Sequence, residues 1–329
     1  MRFAVPVATA AVLGLQALAA APAVAAEELK FANFMPAGHP YVASTFQPFA
    51  DAVAEATGGE VTVTLYNGGE LGGGPVEQYS RVVDGVTELA IGLPGYTASS
   101  FPLTLTTELP GLIEEKTGTE EIWSNIDLFL PEYRRVVLVA LWSSAENVLY
   151  TRDKAVHSPD DIKGLKIRVP SRNAGLLVEA WGGVPVSMPV PEIYNAMQTG
   201  VIDGAMIDGT ATKAFKLGEV ANFLTVGMET TNSPFFILMN RDVADELSGE
   251  QLEAIEAAGK QASLNGSAMQ QKVAADGIES FAAMEGKTLI RLSDAEAAKF
   301  DALAEGMMET LVAGMDAKQK AVVDALKAN

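Results

Sequence analysis

The 329-residue chain contains no cysteine and only two histidines, His39 and His157. A disulfide framework, a thiol nucleophile, thiolate metal sites and a lipid-modified N-terminal cysteine are thereby excluded, and most imidazole-based metal sites with them. Positive charge is scarce as well: 23 Lys and Arg stand against 42 Asp and Glu, a formal net charge of -19. Such a surface repels phosphate backbones and anionic head groups, so no nucleic-acid partner is expected. Also missing are the nucleophile elbow G-x-S-x-G, the zinc motif H-E-x-x-H and the phosphate loop G-x-x-x-x-G-K-[ST]. Neither histidine has a sequence neighbour that would make it a general base. His157 reads as a solvated residue in the turn Val156-His157-Ser158-Pro159-Asp160. No catalytic residue, cofactor or metal ligand set is expected.

What the chain does have is apolar bulk. With 48% hydrophobic and 20% charged residues, it is a folding sequence and not a disordered one. Single cores seldom grow past about 250 to 300 residues, so two lobes are expected. The first 26 residues stand apart. After Arg2, the run from Phe3 to Ala26 carries no charge and closes in Ala23-Val24-Ala25-Ala26, the pattern of a secretory signal peptide cleaved after Ala25 or Ala26. A retained membrane anchor is the competing reading; the weakly apolar, Ala-rich run and its A-x-A end argue against it. An exported, acidic, cysteine-free protein fits a bacterial periplasm.

Downstream, Glu28–Phe34, Val61–Tyr66 and Glu88–Leu93 read as strands separated by helices, the first of which carries Phe46, Phe49 and Val53 on one face. The glycine-rich stretch Asn67–Gly74 reads as a loop, since it lacks the spacing of a nucleotide site. A second series follows, with strands at Arg135–Trp142, Val148–Arg152, Leu165–Val169, Val184–Met188 and Ile202–Ile207, and a further strand at Pro234–Met239. This is the grammar of doubly wound α/β sheets. Glu77-Gln78-Tyr79 with Gly85 recurs as Glu192-Ile193-Tyr194 with Gly200, in each case a helix ended by glycine before a strand. From Gly249 to Met284, helix formers are interrupted only by Gly259, Gly266 and Gly277. A helix of about 35 residues is about 50 Å long, enough to run along both lobes. Ser293-Asp294-Ala295-Glu296 is a capping box opening the last helix.

Ligands of open α/β sheets lie beyond the carboxyl ends of strands. That rule points to Gly92-Leu93-Pro94-Gly95-Tyr96 in one lobe and Ile207-Asp208-Gly209-Thr210 in the other. It also singles out Gly164-Leu165-Lys166-Ile167-Arg168-Val169-Pro170. Leu165, Ile167 and Val169 face one side of this strand and Lys166 and Arg168 the other, and Pro170 ends it. A guanidinium at such an end can hold a carboxylate by two parallel hydrogen bonds. An exposed arginine on a sheet edge is the alternative.

The stretch Pro159-Asp160-Asp161-Ile162-Lys163-Gly164-Leu165-Lys166-Ile167-Arg168-Val169-Pro170, followed by Pro191-Glu192-Ile193-Tyr194-Asn195-Ala196-Met197-Gln198-Thr199-Gly200-Val201-Ile202-Asp203-Gly204, resembles the solute-binding proteins of TRAP (tripartite ATP-independent periplasmic) transporters, the DctP family. Gly38-His39-Pro40, the Asn67–Gly72 loop, Phe101-Pro102-Leu103 with Glu108-Leu109-Pro110, and Met239-Asn240-Arg241 extend the resemblance over nearly the whole mature chain. It implies a bilobed α/β fold of the periplasmic-binding-protein type, type II-like, with lobes joined by hinge strands and a long spanning helix. It implies a receptor, monomeric or homodimeric, that closes on a small organic acid and delivers it to the small and large membrane subunits of a permease.

The same resemblance implies that Arg168 clamps the ligand's carboxylate. Relatives often carry a second basic residue upstream, where this chain has Asn147 and Val148, and an Asn or Trp after the second-lobe D-G, where it has Ile207-Asp208-Gly209. Asp208 is then an acceptor for a hydroxyl or amine, or the N-cap of a helix starting near Thr210. Tyr96, Trp142 and Phe235 are candidates for apolar walls, and His39 for a pocket contact or a surface position. One firm arginine favours a monocarboxylate with a partly apolar body. The expected lobes are 27–145 with about 235–272, and 146–234 with about 273–329. A receptor of an ATP-driven importer would share the architecture, and an exported enzyme on the same fold is the more distant rival.

Overall fold

The computed structural model describes residues 26–72 and 74–327. The expected signal peptide lies, apart from Ala26, outside them. Among the described residues no helix is long and apolar enough to cross a membrane.

Eleven strands build two sheets: β1 (Glu27–Ala32), β2 (Val61–Tyr66), β3 (Leu89–Gly92), β4 (Val136–Ser143), β5 (Val148–Thr151), β6 (Lys166–Val169), β7 (Val184–Ser187), β8 (Gly204–Ile207), β9 (Phe223–Val226), β10 (Pro234–Asn240) and β11 (Thr288–Arg291). The first lobe holds the order β2-β1-β3-β10-β4 and the second β11-β9-β5-β8-β6-β7. Each sheet is parallel but for one strand. β10 runs antiparallel to β3 and β4, and β5 antiparallel to β8 and β9. Both are strands that the chain enters on crossing between lobes, so each sheet is completed by a strand arriving from the other lobe.

The two crossings lie side by side. Ser144 N donates to Ser233 O at 3.0 Å and Asn147 N to Thr231 O at 2.9 Å. Side chains reinforce this ladder: Asn147 Nδ2 donates to Thr231 Oγ1 at 2.9 Å, and Ser233 N to Ser144 Oγ at 2.7 Å. Short polar residues in both segments thus satisfy each other's backbone where no sheet does so. This paired segment is the hinge.

The long helix Gly249–Ala282 starts at Ser248 with a capping box to Gln251 and packs on both lobes. Two of its glycines mark where it touches each. A Cβ on Gly259 would sit 2.0 Å from the carbonyl oxygen of Val139 on β4, and one on Gly277 2.0 Å from that of Gly209. The residues that interrupt the helical pattern are therefore those that let the backbones of sheet and turn approach it.

Elsewhere the expected elements fall within two residues of their observed ends. The helix Gln47–Ala56 buries Phe49 and Val53, with Phe46 at its start. Gly85 and Gly200, which close the two echoed helices, have φ of +67° and +76°. Three elements differ. β9 and β11, parallel neighbours at the edge of the second sheet, are four-residue strands without alternation and were not expected. The helix opened by the Ser293 capping box, Asp294–Gly314, is followed by another, Ala317–Lys327. That last helix returns to the first lobe, where Val322, Val323 and Leu326 join Phe101, Leu109 and Phe129 in one core. Placing all of 273–329 in the second lobe is corrected accordingly.

Candidate functional site

The carboxyl ends of β3, β6 and β8 meet at a cavity between the lobes. Both stretches picked out by the strand-end rule contribute to it: Leu93 and Tyr96 from one lobe, and Ile207, Asp208 and Thr210 from the other.

Arg168 is the penultimate residue of β6, which lies between β7 and β8, so it is not on a sheet edge. Only 1% of it is exposed. Three hydrogen bonds fix the guanidinium: Nε donates to Met188 O at 2.8 Å, Nη1 to Met206 O at 3.1 Å, and Nη2 to Tyr96 Oη at 3.1 Å. A guanidinium has five N–H groups; these bonds leave one on each terminal nitrogen, the pair that a carboxylate takes end-on. Burial lowers the pKa of Arg168, while Tyr96 and Asp208 act against that fall. Among the described residues no carboxylate forms an ion pair with it. A buried cation held only by neutral acceptors is costly until an anion arrives.

Tyr96 reaches across from the first lobe, and its hydroxyl oxygen also accepts from Val190 N at 3.1 Å. One phenol thus receives two second-lobe donors.

Asp208, at the end of β8, is buried, which pushes its pKa up. Its Oδ1 accepts from Thr210 N at 2.9 Å, so it caps the turn that leads into the helix Ala211–Ala214. Its Oδ2 accepts from Gln270 Nε2 at 3.0 Å. Gln270 Oε1 in turn accepts from Tyr41 Oη, and Tyr41 Oη accepts from Trp142 Nε1 at 2.9 Å. This relay ties β4, the loop after β1, the long helix and β8 into one oriented chain. Asp208 thus caps the turn and lines the cavity.

His39 is buried and lines the cavity, so it is a pocket residue and not a surface one. Its Nδ1 accepts from Tyr41 N at 3.2 Å, and burial lowers its pKa to about 4. It is a neutral ring, 5.1 Å from Tyr41 and 5.7 Å from Phe215. His157, by contrast, is exposed, near Glu296.

Phe235 is in the cavity lining. Trp142 is not. It is wholly buried and stacks behind Phe235 with ring centroids 5.6 Å apart, so its part is to hold Phe235 and Tyr41 in place. Asn147 borders the cavity, but its amide donates to the hinge through Thr231 and supplies no second cation.

Sequence reasoning missed Tyr41, Phe34, Phe215 and Gln270, all in the lining. A signal existed for Gln270. It lies in the row Gly259, Ser263, Gly266, Gln270, Ala274 and Gly277, spaced by three or four along one buried face of the long helix, and is the one large polar residue in that row of small ones.

Comparison with known proteins agrees with this geometry. Residues 31–314 match the family described as bacterial extracellular solute-binding protein, family 7 (DctP). A solute-binding protein of Albidiferax ferrireducens is 29% identical over 216 residues, 63% of this chain and 62% of its own length. A TRAP solute-binding protein of an unidentified marine microbe, specific for aromatic acid ligands and solved with 3-hydroxybenzoate, superposes with a TM-score of 0.85 at 26% identity, covering 92% of this chain and 97% of that one. Another, from Rhodoferax ferrireducens with copurified benzoate, gives 0.83 at 26% identity, covering 92% and 96%. With the family matched over most of its length and the same bilobed fold, the chain belongs to the DctP solute-binding proteins, the non-enzymatic solute receptors of TRAP transporters.

Proposed function

We propose that this receptor binds a small aromatic monocarboxylate in the interlobe cavity and hands it, in the periplasm, to the small and large membrane subunits of a TRAP permease. Arg168 carries the reading: it is a buried guanidinium with no carboxylate partner and with one N–H on each terminal nitrogen left for an anion. Tyr41, Phe34, Phe215, Phe235 and the neutral His39 supply flat apolar walls, which suit a ring. Asp208 opposes a second anionic group and accepts from a ring hydroxyl. The two solved relatives bind benzoate and 3-hydroxybenzoate, acids of this shape.

Closure supplies the mechanism. The first lobe is built around residues 27–145 and the second around residues 146–234, with the hinge between them. A carboxylate on Arg168 neutralises the buried charge only when Tyr96 and the first lobe cover it, so the ligand favours the closed state by its differential affinity.

A thermal-shift screen of small organic acids tests this. A ligand at about a hundred times its Kd stabilises the fold by about 2.7 kcal/mol, a few degrees in Tm for a chain of this size. Benzoate and its hydroxylated forms are expected to shift Tm, and Arg168→Ala to cost about 2 to 5 kcal/mol of affinity in calorimetry. Full affinity retained in Arg168→Ala, or shifts from sugar acids and none from aromatic acids, would refute it.

A further inference from the structure

Glu108 is a carboxyl that the cavity does not use. It closes the turn Thr104–Glu108, belongs to the Glu108-Leu109-Pro110 motif, and is 1% exposed. The polar side chains facing it, Ser171 and Asn173, come from the other lobe, at the start of the helix Arg172–Ala180. Asn173 Nδ2 also donates across the gap to Leu105 O at 2.8 Å. A Cβ on Gly95 would lie 2.9 Å from Ser171 Cβ and 3.4 Å from Glu108 Oε1, so the missing side chain there is what lets the lobes meet.

No cation answers this carboxyl. Glu108 forms no ion pair among the described residues, and its Oε2 has no hydrogen-bond partner. The elements packed against the turn carry Tyr96; Arg172 and Glu179; Glu132 and Tyr133; and Lys318, Lys320, Asp324 and Lys327 of the last helix. None of them bonds Glu108. Glu132 accepts from the backbone of Leu103 and Thr104, Tyr133 pairs with Thr104 Oγ1, and Tyr96 accepts from Arg168 and Val190. Burial raises the Glu108 pKa to about 8, with Ser171 and Asn173 moderating the rise.

Opening the cleft withdraws Ser171, Asn173 and the helix behind them and returns the carboxyl to water, where it is ionised at neutral pH. We propose that the receptor binds a proton together with its solute: closing the lobes protonates Glu108, and ligand affinity is linked to pH through it. This rests on the closure described above, and on neither Arg168 nor the identity of the acid. The closed state holds the proton more tightly, so affinity is full at low pH and declines as pH rises. Between the ordinary carboxylate value of 4.5 and about 8, this one group raises Kd by up to about tenfold per pH unit. Two cavity groups also respond to closure. Burial raises Asp208, which acts in the same sense, and lowers His39, which acts in the opposite one.

Calorimetry with benzoate as probe, at about pH 7.2 in two buffers of different ionisation enthalpy, counts the protons taken up. Wild type is expected to take up most of one proton more than Glu108→Gln, which still binds; Asp208→Asn keeps that increment. Equal uptake in wild type and Glu108→Gln overturns the proposal. If benzoate gives no heat, the ligand reading is what suffers, and closure is followed without ligand. The radius of gyration from X-ray scattering then grows between about pH 6.5 and 8.5 in wild type as Glu108 ionises, and stays level in Glu108→Gln. A wild-type radius that does not change overturns the proposal, even where the variant fails to fold.

Discussion

The Arg168 guanidinium is held in place by three acceptors of the protein itself. Its Nε and one N–H of each terminal nitrogen are spent on Met188 O, Met206 O and Tyr96 Oη, so the plane of the guanidinium is set before any ligand arrives. A lysine at this position keeps the charge but not the fork. Its single ammonium has three donors on a flexible stem and cannot serve three fixed acceptors and a carboxylate at once. Arg168→Lys is therefore expected to fold and to bind aromatic acids more weakly by about 1.5 to 3 kcal/mol, roughly 10- to 150-fold in Kd. Isothermal titration decides it, and a Kd within a factor of about two of wild type would show that charge alone suffices. The position of Arg168 at a strand end was legible from Leu165 to Pro170, because alternation and a terminal proline are local signals. Its burial was not, since that depends on β7 and β8 flanking the strand and on Tyr96 arriving from the other lobe.

Among the elements, the long helix couples the site to the fold. Gly277 faces the backbone of Gly209, next to Asp208, and two turns earlier Gln270 donates to the Asp208 carboxylate. Alanine is the better helix former by about 1 kcal/mol, yet at position 277 its Cβ would meet a carbonyl oxygen at 2.0 Å, and a backbone atom cannot step aside as a side-chain end can. Gly277→Ala is expected to destabilise by about 1 to 3 kcal/mol and to weaken binding as the helix is pushed off Asp208. Gly306, within Asp294–Gly314, has nothing within 4 Å of its added Cβ, so Gly306→Ala is expected to stabilise by up to about 1 kcal/mol. Urea unfolding of the two variants reads both signs; the same sign for both would mean that close approach is not what selects glycine. The sequence pattern carried the helix's length and its glycines, and most strands through their alternation. It carried neither β9 nor β11, whose Phe-Leu-Thr-Val and Thr-Leu-Ile-Arg show neither alternation nor a continuous apolar run, nor the return of Val322, Val323 and Leu326 to the first lobe, which no local pattern encodes.

For the whole molecule, closure is opposed by acid at one residue and by base at another. His39 stands in the first lobe with the second-lobe ring of Phe215 against it, and burial holds its pKa at about 4, below its ordinary 6.5. Closing therefore needs His39 neutral, and this contribution is complete above pH 6.5 and lost as pH falls toward 4. Glu108 works in the other direction: closing needs it protonated, and that contribution is lost as pH rises toward 8. The two partly cancel below about pH 6.5, where each further unit of acid favours closure at Glu108 and disfavours it at His39 by similar factors. Ligand affinity should therefore rise as pH falls from about 8 to 6.5 and then flatten, with Asp208, which burial raises, leaving a residual rise in the same sense as Glu108. Replacing the imidazole removes one side of the balance. In His39→Gln the affinity is expected to keep rising below about pH 6.5, until the ordinary carboxylate range is reached, whatever its absolute value at neutral pH. Titrations of both proteins from about pH 5 to 8.5 give the two curves. A plateau at the same pH in each would show that His39 does not set the lower limb, because a ring that titrates alike in the open and closed states cannot bend the curve.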